Sequence, residues 1–485
     1  MPSSKRDQVD YLINLLGRKR NIIEQEVVEE EEASHQLHPT SSSNNNNTNN
    51  NDDSNSDFED IVYTHLTRNE MVEQLQSKTL AGDWVMTVPP IELLYQSSTT
   101  EQQDECFNDV LETYLETPEL KFYKDAHLNY VMKCLTAKLP SGYKSLDANH
   151  PWMMYWLLNS FLVIRANNEE EEEGEEEGEE SFLTENIFNL INEKIESCIV
   201  DDGRGGIAGG ANQMGHLAST YAAVLTLLLT KNTATLLRIK DNLYTWIMSL
   251  KKELSNGSSF LMHEFGEYDT RSTYCALVIS SLLNVTTPQL IEGVQDWIVS
   301  CQTYEGGFAG VPHTEAHGGY TFCAFASLFL LNKEPQAVIE QIKFDKFVRW
   351  CLERQTYEGG FSGRTNKLVD ACYGFWIGAL IPMVDVLRKS HTIDKVALKN
   401  YMLRVAQVES GGFRDKPGKL VDFYHTNYAL CGLSCCEHKY ELHETNKDTC
   451  LAFKIVVKSS DNSTFTQAIN PVFGVPISFC KTPVE

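Results

Sequence analysis

Apolar stretches recur along this chain at a near-constant interval, each opened by an aromatic residue. They read TYAAVLTLLL, TYCALVISSLL, TFCAFASLFLL, CYGFWIGALI and NYALCGLS, with Tyr221, Tyr274, Phe322, Tyr373 and Tyr428 in the aromatic position. A Gly-rich turn precedes each one. The turns centre on Gly205, Gly257, Gly306, Gly359 and Gly411, at spacings of 52, 49, 53 and 52 residues. More amphipathic segments lie between, such as PQLIEGVQDWIVSCQ (288–302) and KFDKFVRWCLERQ (343–355). A stretch apolar on nearly every side predicts a buried inner helix, and one with a wet face predicts an outer helix. Each repeat is then a helical hairpin that buries its apolar surface only by stacking on its neighbours. HPWMMYWLLNSFLVI at 150–164 supplies an earlier repeat. The expected fold is all-α, an α/α barrel (toroid) of about six hairpins. The periodicity also fits an open solenoid; a closed ring would gather every inner-helix start around one cavity mouth.

Composition adds the flanks. Polar residues fill 41–57 (SSSNNNNTNNNDDSNSD), and 167–180 (NNEEEEEGEEEGEE) holds ten glutamates. Such tracts have nothing to bury and are expected to lack fixed structure. We expect a low-complexity extension over 1–60, a helical segment over 61–127, the barrel over 128–435 with a disordered acidic insertion at 167–180, and a C-terminal segment over 436–485 that packs on the barrel. The net charge is −26, from 41 Lys+Arg and 67 Asp+Glu. Two Glu-rich runs, 29–32 and 169–180, hold fourteen of those negative charges; without them the balance is −12. A chain this acidic is a poor partner for nucleic-acid phosphates. Thirteen cysteines, an odd number at low density, do not suit a disulfide framework. The N-terminus lacks a signal-type apolar core, and no apolar run approaches the ~18 residues of a membrane span. These features point to a cytoplasmic protein.

Chemistry emerges when the repeats are aligned on their aromatic. Three positions earlier stand Ala218, Arg271, Gly319, Asp370 and His425; one position earlier stand Thr220, Thr273, Thr321, Cys372 and Asn427. Equivalent positions in adjacent hairpins are spatial neighbours, so Asp370, Cys372 and His425 should meet. All three are zinc donors, and three protein ligands with one open position suit a catalytic zinc site. Taken singly, the same residues also fit a buried thiol and a hydrogen-bonded imidazole; repeat equivalence strengthens the metal reading. Arg364 and Lys367, in GRTNKLVD, and His317, in AHGGYTF, add cations near helix starts, which themselves favour anions. With the Tyr373 hydroxyl they suggest a phosphate-rich ligand, while ordinary loop charges remain the plainer reading. Trp152, Trp156, Tyr221, Tyr274, Tyr320, Trp376 and Tyr424 fall near inner-helix starts. They are core residues in a solenoid, or the wall of an apolar cavity in a closed ring.

Six segments carry a resemblance: LDANHPWMMYW (146–156), HLASTYAAV (216–224), SFLMHEFGEYDTRSTYC (259–275), EAHGGYTFC (315–323), YEGGFSGRTNKLVDACYGFW (357–376) and DKPGKLVDFYHTNYALCGLS (415–434). In order and spacing they closely resemble the β subunits of protein farnesyltransferases, within the protein prenyltransferase β family. The resemblance implies a zinc-dependent heterodimer with a helical α subunit. It would transfer farnesyl from farnesyl diphosphate to the cysteine of C-terminal Cys-a-a-X motifs, as on small GTPases. It implies zinc on Asp370, Cys372 and His425, with magnesium at Asp415. It implies diphosphate contacts from His317, Gly318, Gly319, Arg364, Lys367 and Tyr373, and an isoprenoid wall of Arg271, Tyr221, Tyr274, Tyr320, Cys323 and Trp376. Trp152, Trp156 and Tyr424 would meet the acceptor peptide. Relatives that transfer the longer geranylgeranyl group carry a small residue where Trp152 stands, and a lysine in place of Asp415 in type I. A geranylgeranyltransferase type I β subunit is the alternative. A terpene-cyclase-like barrel lacks support because no Asp-x-Asp-Asp motif occurs, and a non-catalytic barrel need not keep the metal and cationic residues. One departure from the animal members is Leu420-Val421-Asp422.

Overall fold

A computed structural model describes residues 97–139, 141–164, 177–201, 203, 205–332, 336–388, 393–442, 453–455 and 464–480. The expected extension over 1–60, residues 61–96 and residues 167–176 of the acidic insertion lie outside these. The chain divides into two units, Met1–Pro118 and Glu119–Glu485. In the first, a helix spans Ser98–Glu116, capped by the Ser97 hydroxyl in a capping box with Thr100.

The second unit holds the repeats. Its inner helices are His150–Ile164, Leu217–Leu229, Thr270–Leu282, Gly318–Leu331, the short Tyr373–Trp376 with its continuation Leu380–Arg388, and Phe423–Glu437. Outer helices precede them: Lys124–Thr136, Glu177–Glu196, Thr233–Leu250, Pro288–Ile291 with Val294–Ser300, Gln336–Gln341 with Phe344–Leu352, and Lys395–Tyr401. Each inner helix packs on the next, and the sixth packs on the first. The ring is closed, and the solenoid alternative falls. Four two-stranded antiparallel hairpins accompany the helices.

Two boundaries differ from expectation. The outer helix Lys124–Thr136 crosses the expected start of the barrel at 128. The last residues of the acidic run, 177–180, open the helix Glu177–Glu196 rather than lacking structure.

The Gly-rich turns explain how hairpins stack. Gly306 has φ 115°, and a Cβ there would lie 2.1 Å from the Lys346 carbonyl oxygen on the following outer helix. Only glycine permits that backbone and that approach. The last turn repeats the contact across the seam. Gly411, with φ 100°, would place a Cβ 2.2 Å from the Ala126 carbonyl oxygen of the first outer helix. Beside it the Gly412 N–H donates to His127 Nδ1 at 2.8 Å, and His127 Nε2 lies 3.0 Å from Gln407 Oε1. Because Nδ1 accepts, the neutral ring carries its proton on Nε2 and donates it to Gln407. Between the inner helices the seam is joined by the buried Asn159 Nδ2 donating to Asn427 Oδ1 at 2.8 Å.

Residues 464–480 return to the ring. Glu437 accepts from the Phe465 and Thr466 N–H groups at 3.0 and 3.1 Å. The Tyr274 hydroxyl donates to the Val472 carbonyl at 2.7 Å, and Asn159 Nδ2 to the Gly474 carbonyl at 2.9 Å. This segment therefore fastens to the first, third and sixth inner helices.

Burial at the seam lowers the His127 pKa to about 4, from 6.5. A base with a depressed folded pKa stabilises the fold above its unfolded pKa, and that stability is lost as pH falls toward 4. We expect His127 to remove about 2 kcal/mol between pH 7 and pH 5. Urea unfolding at the two pH values measures this, and His127→Gln should make the decline shallower; an unchanged slope contradicts the assignment.

Candidate active site at the barrel mouth

The fifth and sixth inner helices approach backbone to backbone. A Cβ on Gly432 would lie 2.6 Å from the Gly374 carbonyl carbon, and one on Gly378 would lie 1.8 Å from the Gly374 oxygen. The Gly432 contact lays the middle of the sixth helix on the start of the fifth, and Cys372 and His425 stand at the starts of these two helices. Asp370 is held by its N–H on the Phe361 carbonyl at 3.0 Å, and its Oδ1 accepts from the Cys372 N–H at 2.8 Å. One donor atom each from Asp370, Cys372 and His425 lie within 4.8 Å of one another. His425 Nε2 is 3.3 Å from Asp370 Oδ1.

A fourth residue completes the arrangement, and sequence reasoning gave it no role. Asp422 caps the sixth inner helix by accepting from the His425 N–H at 2.8 Å, and its other oxygen lies 2.7 Å from His425 Nδ1. It fixes the ring so that Nε2 faces Asp370, a common support for a metal-binding histidine. The signal was available: an aspartate three residues before a histidine at a helix start. Burial alone would lower the His425 pKa, but the bonds to Asp370 and Asp422 raise it to about 9. Burial and the Asp370 charge push the Cys372 thiol well up. A cation binding here must displace those protons. Zinc bonds of about 2.0–2.3 Å place tetrahedral donor atoms roughly 3.3–3.8 Å apart, so the trio suits such an ion.

His317 caps the fourth inner helix. Its Nδ1 accepts from the Gly319 N–H at 3.0 Å, so its proton sits on Nε2, 3.0 Å from the Tyr373 hydroxyl oxygen. Burial and the nearby Arg364 lower its pKa, which favours this neutral tautomer. Tyr373 thus receives a hydrogen bond and keeps its own proton to donate. Gly318 lies against the Tyr373 ring, where a Cβ would come within 2.8 Å. Arg364 stands on the adjacent loop, its Nη1 3.0 Å from Glu315 Oε2. Lys367 is on the exposed part of the same loop. Arg271 is committed to Asp269, 2.6 Å away, and lies 5.3 Å over the Tyr320 ring. Both Asp415 oxygens are 2.6 Å from Lys416 Nζ, so this carboxylate is not part of the metal-type trio.

The aromatics form a circuit. Trp152 neighbours Tyr221, Tyr221 neighbours Tyr274, Tyr274 neighbours Phe322 and Phe322 neighbours Trp376, with ring centroids 5.3–5.5 Å apart. Trp376, Tyr428, Tyr424, Trp156 and Trp152 close it at 4.4–5.6 Å. Every inner helix contributes. Trp376 Nε1 donates to the Tyr424 hydroxyl at 2.9 Å. Tyr221, Tyr274 and Cys323 are buried, while Trp152, Trp156, Trp376 and Tyr424 are half-buried. The result is an apolar wall below a mouth carrying polar and ligating groups.

The close approach at Gly374 makes a direct prediction. Gly432→Ala should lower stability in urea by about 1–3 kcal/mol, because two backbones must part. An unchanged midpoint contradicts the contact.

Comparison with known proteins follows the same lines. The family model for the prenyltransferase alpha-alpha toroid domain matches residues 122–475. The protein farnesyltransferase subunit beta of Saccharomyces cerevisiae is 38% identical over 396 residues, covering 80% of this chain and 86% of that protein. That of Schizosaccharomyces pombe is 36% identical, covering 79% and 95%. A geranylgeranyl transferase type-1 subunit beta of Arabidopsis thaliana is 30% identical, covering 67% and 87%. The structure of Candida albicans protein geranylgeranyltransferase-I complexed with GGPP shares the fold, with a TM-score of 0.57 at 23% identity over 75% of this chain and all of that one. Among the described residues no helix is long and apolar enough to cross a membrane. The chain belongs to the prenyltransferase α-α toroid family, among the protein farnesyltransferase β subunits.

Proposed function

We propose that this chain holds zinc on Asp370, Cys372 and His425 and, paired with a prenyltransferase α subunit, transfers farnesyl from farnesyl diphosphate to Cys-a-a-X proteins. The observation that carries this reading is the convergence of the three donors within 4.8 Å, beside the His317–Tyr373 pair. Bound there, zinc would supply a Lewis acid that takes the acceptor sulfur as thiolate at neutral pH. The chain's own residues do the rest. The transfer forms an S–C1 bond and breaks the C1–O bond, so charge grows on the departing diphosphate. The Tyr373 hydroxyl, oriented by His317 Nε2, donates toward that charge, and Arg364 and Lys367 stabilise it. Fixed donors at the site of developing charge are effective because they need no reorganisation. Gly318 and Gly319 lie at the same helix start, whose dipole favours an anion, while their N–H groups already donate to the Gly363 carbonyl and His317 Nδ1.

The aromatic circuit holds the isoprenoid, with Tyr221, Tyr274, Tyr320, Cys323, Trp376 and Arg271 as its wall. Trp152, Trp156 and Tyr424 face the acceptor's C-terminal residues. Asp415 is our magnesium candidate. Lys416 already covers both of its oxygens, so the carboxylate does not make a cation site alone, and the substrate's phosphates must complete one. The odd, sparse cysteine set supports a reducing, cytoplasmic setting.

Two expected outcomes test this reading. In the heterodimer, Cys372→Ala should lose bound zinc and at least 100-fold in turnover, whereas Arg364→Ala should keep zinc and bind diphosphate more weakly. Elemental analysis beside a transfer assay decides it, and full zinc content in Cys372→Ala counts against the ligand set. Trp152 stands 5.5 Å from Tyr221 and 6.0 Å from Tyr155, filling one side of the circuit. Trp152→Thr should therefore shift preference toward the 20-carbon donor in a competition between the two diphosphates. Unchanged preference removes the cavity-length argument for farnesyl.

A further inference from the structure

Arg364 is the guanidinium assigned to the diphosphate, yet a carboxylate already engages it. Its Nη1 lies 3.0 Å from Glu315 Oε2, and the two side chains are 40% and 51% exposed. Glu315 stands two residues before His317, at the mouth where an anion is to bind. A second glutamate holds the same loop: the Thr365 hydroxyl donates to Glu305 Oε2 at 2.9 Å. The loop does not need these carboxylates for its place. The Gly318 N–H donates to the Gly363 carbonyl at 2.8 Å, and the Ser362 N–H to the Arg354 carbonyl at 2.8 Å. An ion pair this exposed adds little to stability, while a carboxylate beside a diphosphate repels it.

A third charged residue makes sense of the arrangement. Arg354 lies beneath the loop, 5% exposed, with its guanidinium 5.2 Å over the Trp350 ring. Its Nε and Nη1 are buried and donate to no acceptor among the described residues. Glu305, Glu353 and, more weakly, Glu315 lie within its electrostatic reach. Glu315 therefore pairs with the half-exposed Arg364 and also feels the charge of the buried Arg354.

We propose that Glu315 is a displaceable counter-ion for Arg364. It holds the guanidinium ready in the empty mouth and yields it when a diphosphate arrives, while Arg354 keeps the released carboxylate in a cationic field. The exchange is reversible, so Glu315 also helps to reclaim Arg364 from the departing diphosphate. This rests on the proposed role of Arg364 in diphosphate binding.

The test is calorimetric titration of the heterodimer with inorganic diphosphate. Glu315→Gln should bind three- to ten-fold more tightly than the wild type, with zinc content unchanged, and Glu315→Asp should stay near the wild type. The gain should shrink at least by half when Arg364→Ala is also present, because a competitor for Arg364 matters only if Arg364 is there. Equal or weaker binding by Glu315→Gln overturns the proposal. So does the same gain in the Arg364→Ala background, which would mean simple repulsion. If Arg364→Ala alone binds diphosphate as well as the wild type, the assignment of Arg364 fails, and the counter-ion role fails with it.

Discussion

The structure depends on the seam between its last and first repeats. Five junctions in the ring join neighbours in sequence, and the sixth must join residues more than 260 positions apart, such as Asn159 and Asn427. Inner helices that are apolar nearly all round leave no face for water, so an open end would expose a whole helix. The chain meets this constraint by making the sixth junction like the others. Gly411 lies on Ala126 as Gly306 lies on Lys346, and His127 adds a buried bridge to Gly412 and Gln407. Closure is what turns a row of aromatics into a circuit and a row of helix starts into a mouth.

Much of this was legible because a repeat converts sequence positions into spatial ones. The interval of about fifty residues named the inner helices, and alignment on the aromatic brought Asp370, Cys372 and His425 together before any coordinates. Closure was not legible, since the periodicity carries no curvature. Other features escaped for local reasons. The fifth inner helix breaks after Trp376, between Gly374 and Gly378, where backbone contact replaces side-chain packing. Asp422 was visible as an aspartate three residues before a histidine, and its two oxygens acquire meaning from the ring they orient. Lys416 on Asp415 and Glu315 on Arg364 are contacts between side chains of the same or adjacent loops, which no period describes. The expected start of the barrel at 128 was late because a single outer helix, Lys124–Thr136, shows no repeat of its own.

Net charge describes the chain and misdescribes the site. The balance of −26 is concentrated in Glu-rich runs away from the motifs. At the mouth, charges alternate over short distances: Asp422 against His425, His425 against Asp370, Lys416 against Asp415, Arg364 against Glu315. Such an array leaves little long-range field but a strong local one. Ligating and cationic groups are thereby kept in place without making the surface attractive to every polyanion.

The hydroxyl of Tyr274 reaches 198 residues forward to the Val472 carbonyl. A ribosome delivers the chain in order, so this bond to the third inner helix forms only after Val472 has been made. Until residues 464–480 emerge, Tyr274 has Tyr221, Asn159 has Asn427 and Glu437 has Lys399, but each lacks its bond to the returning segment. Nascent chains tend to fold from the N-terminus as they appear. Here that order gives a barrel whose hairpins can assemble early but whose first, third and sixth inner helices gain their last fastenings only with residues 464–480. The order of synthesis thus sets when the third inner helix is fastened.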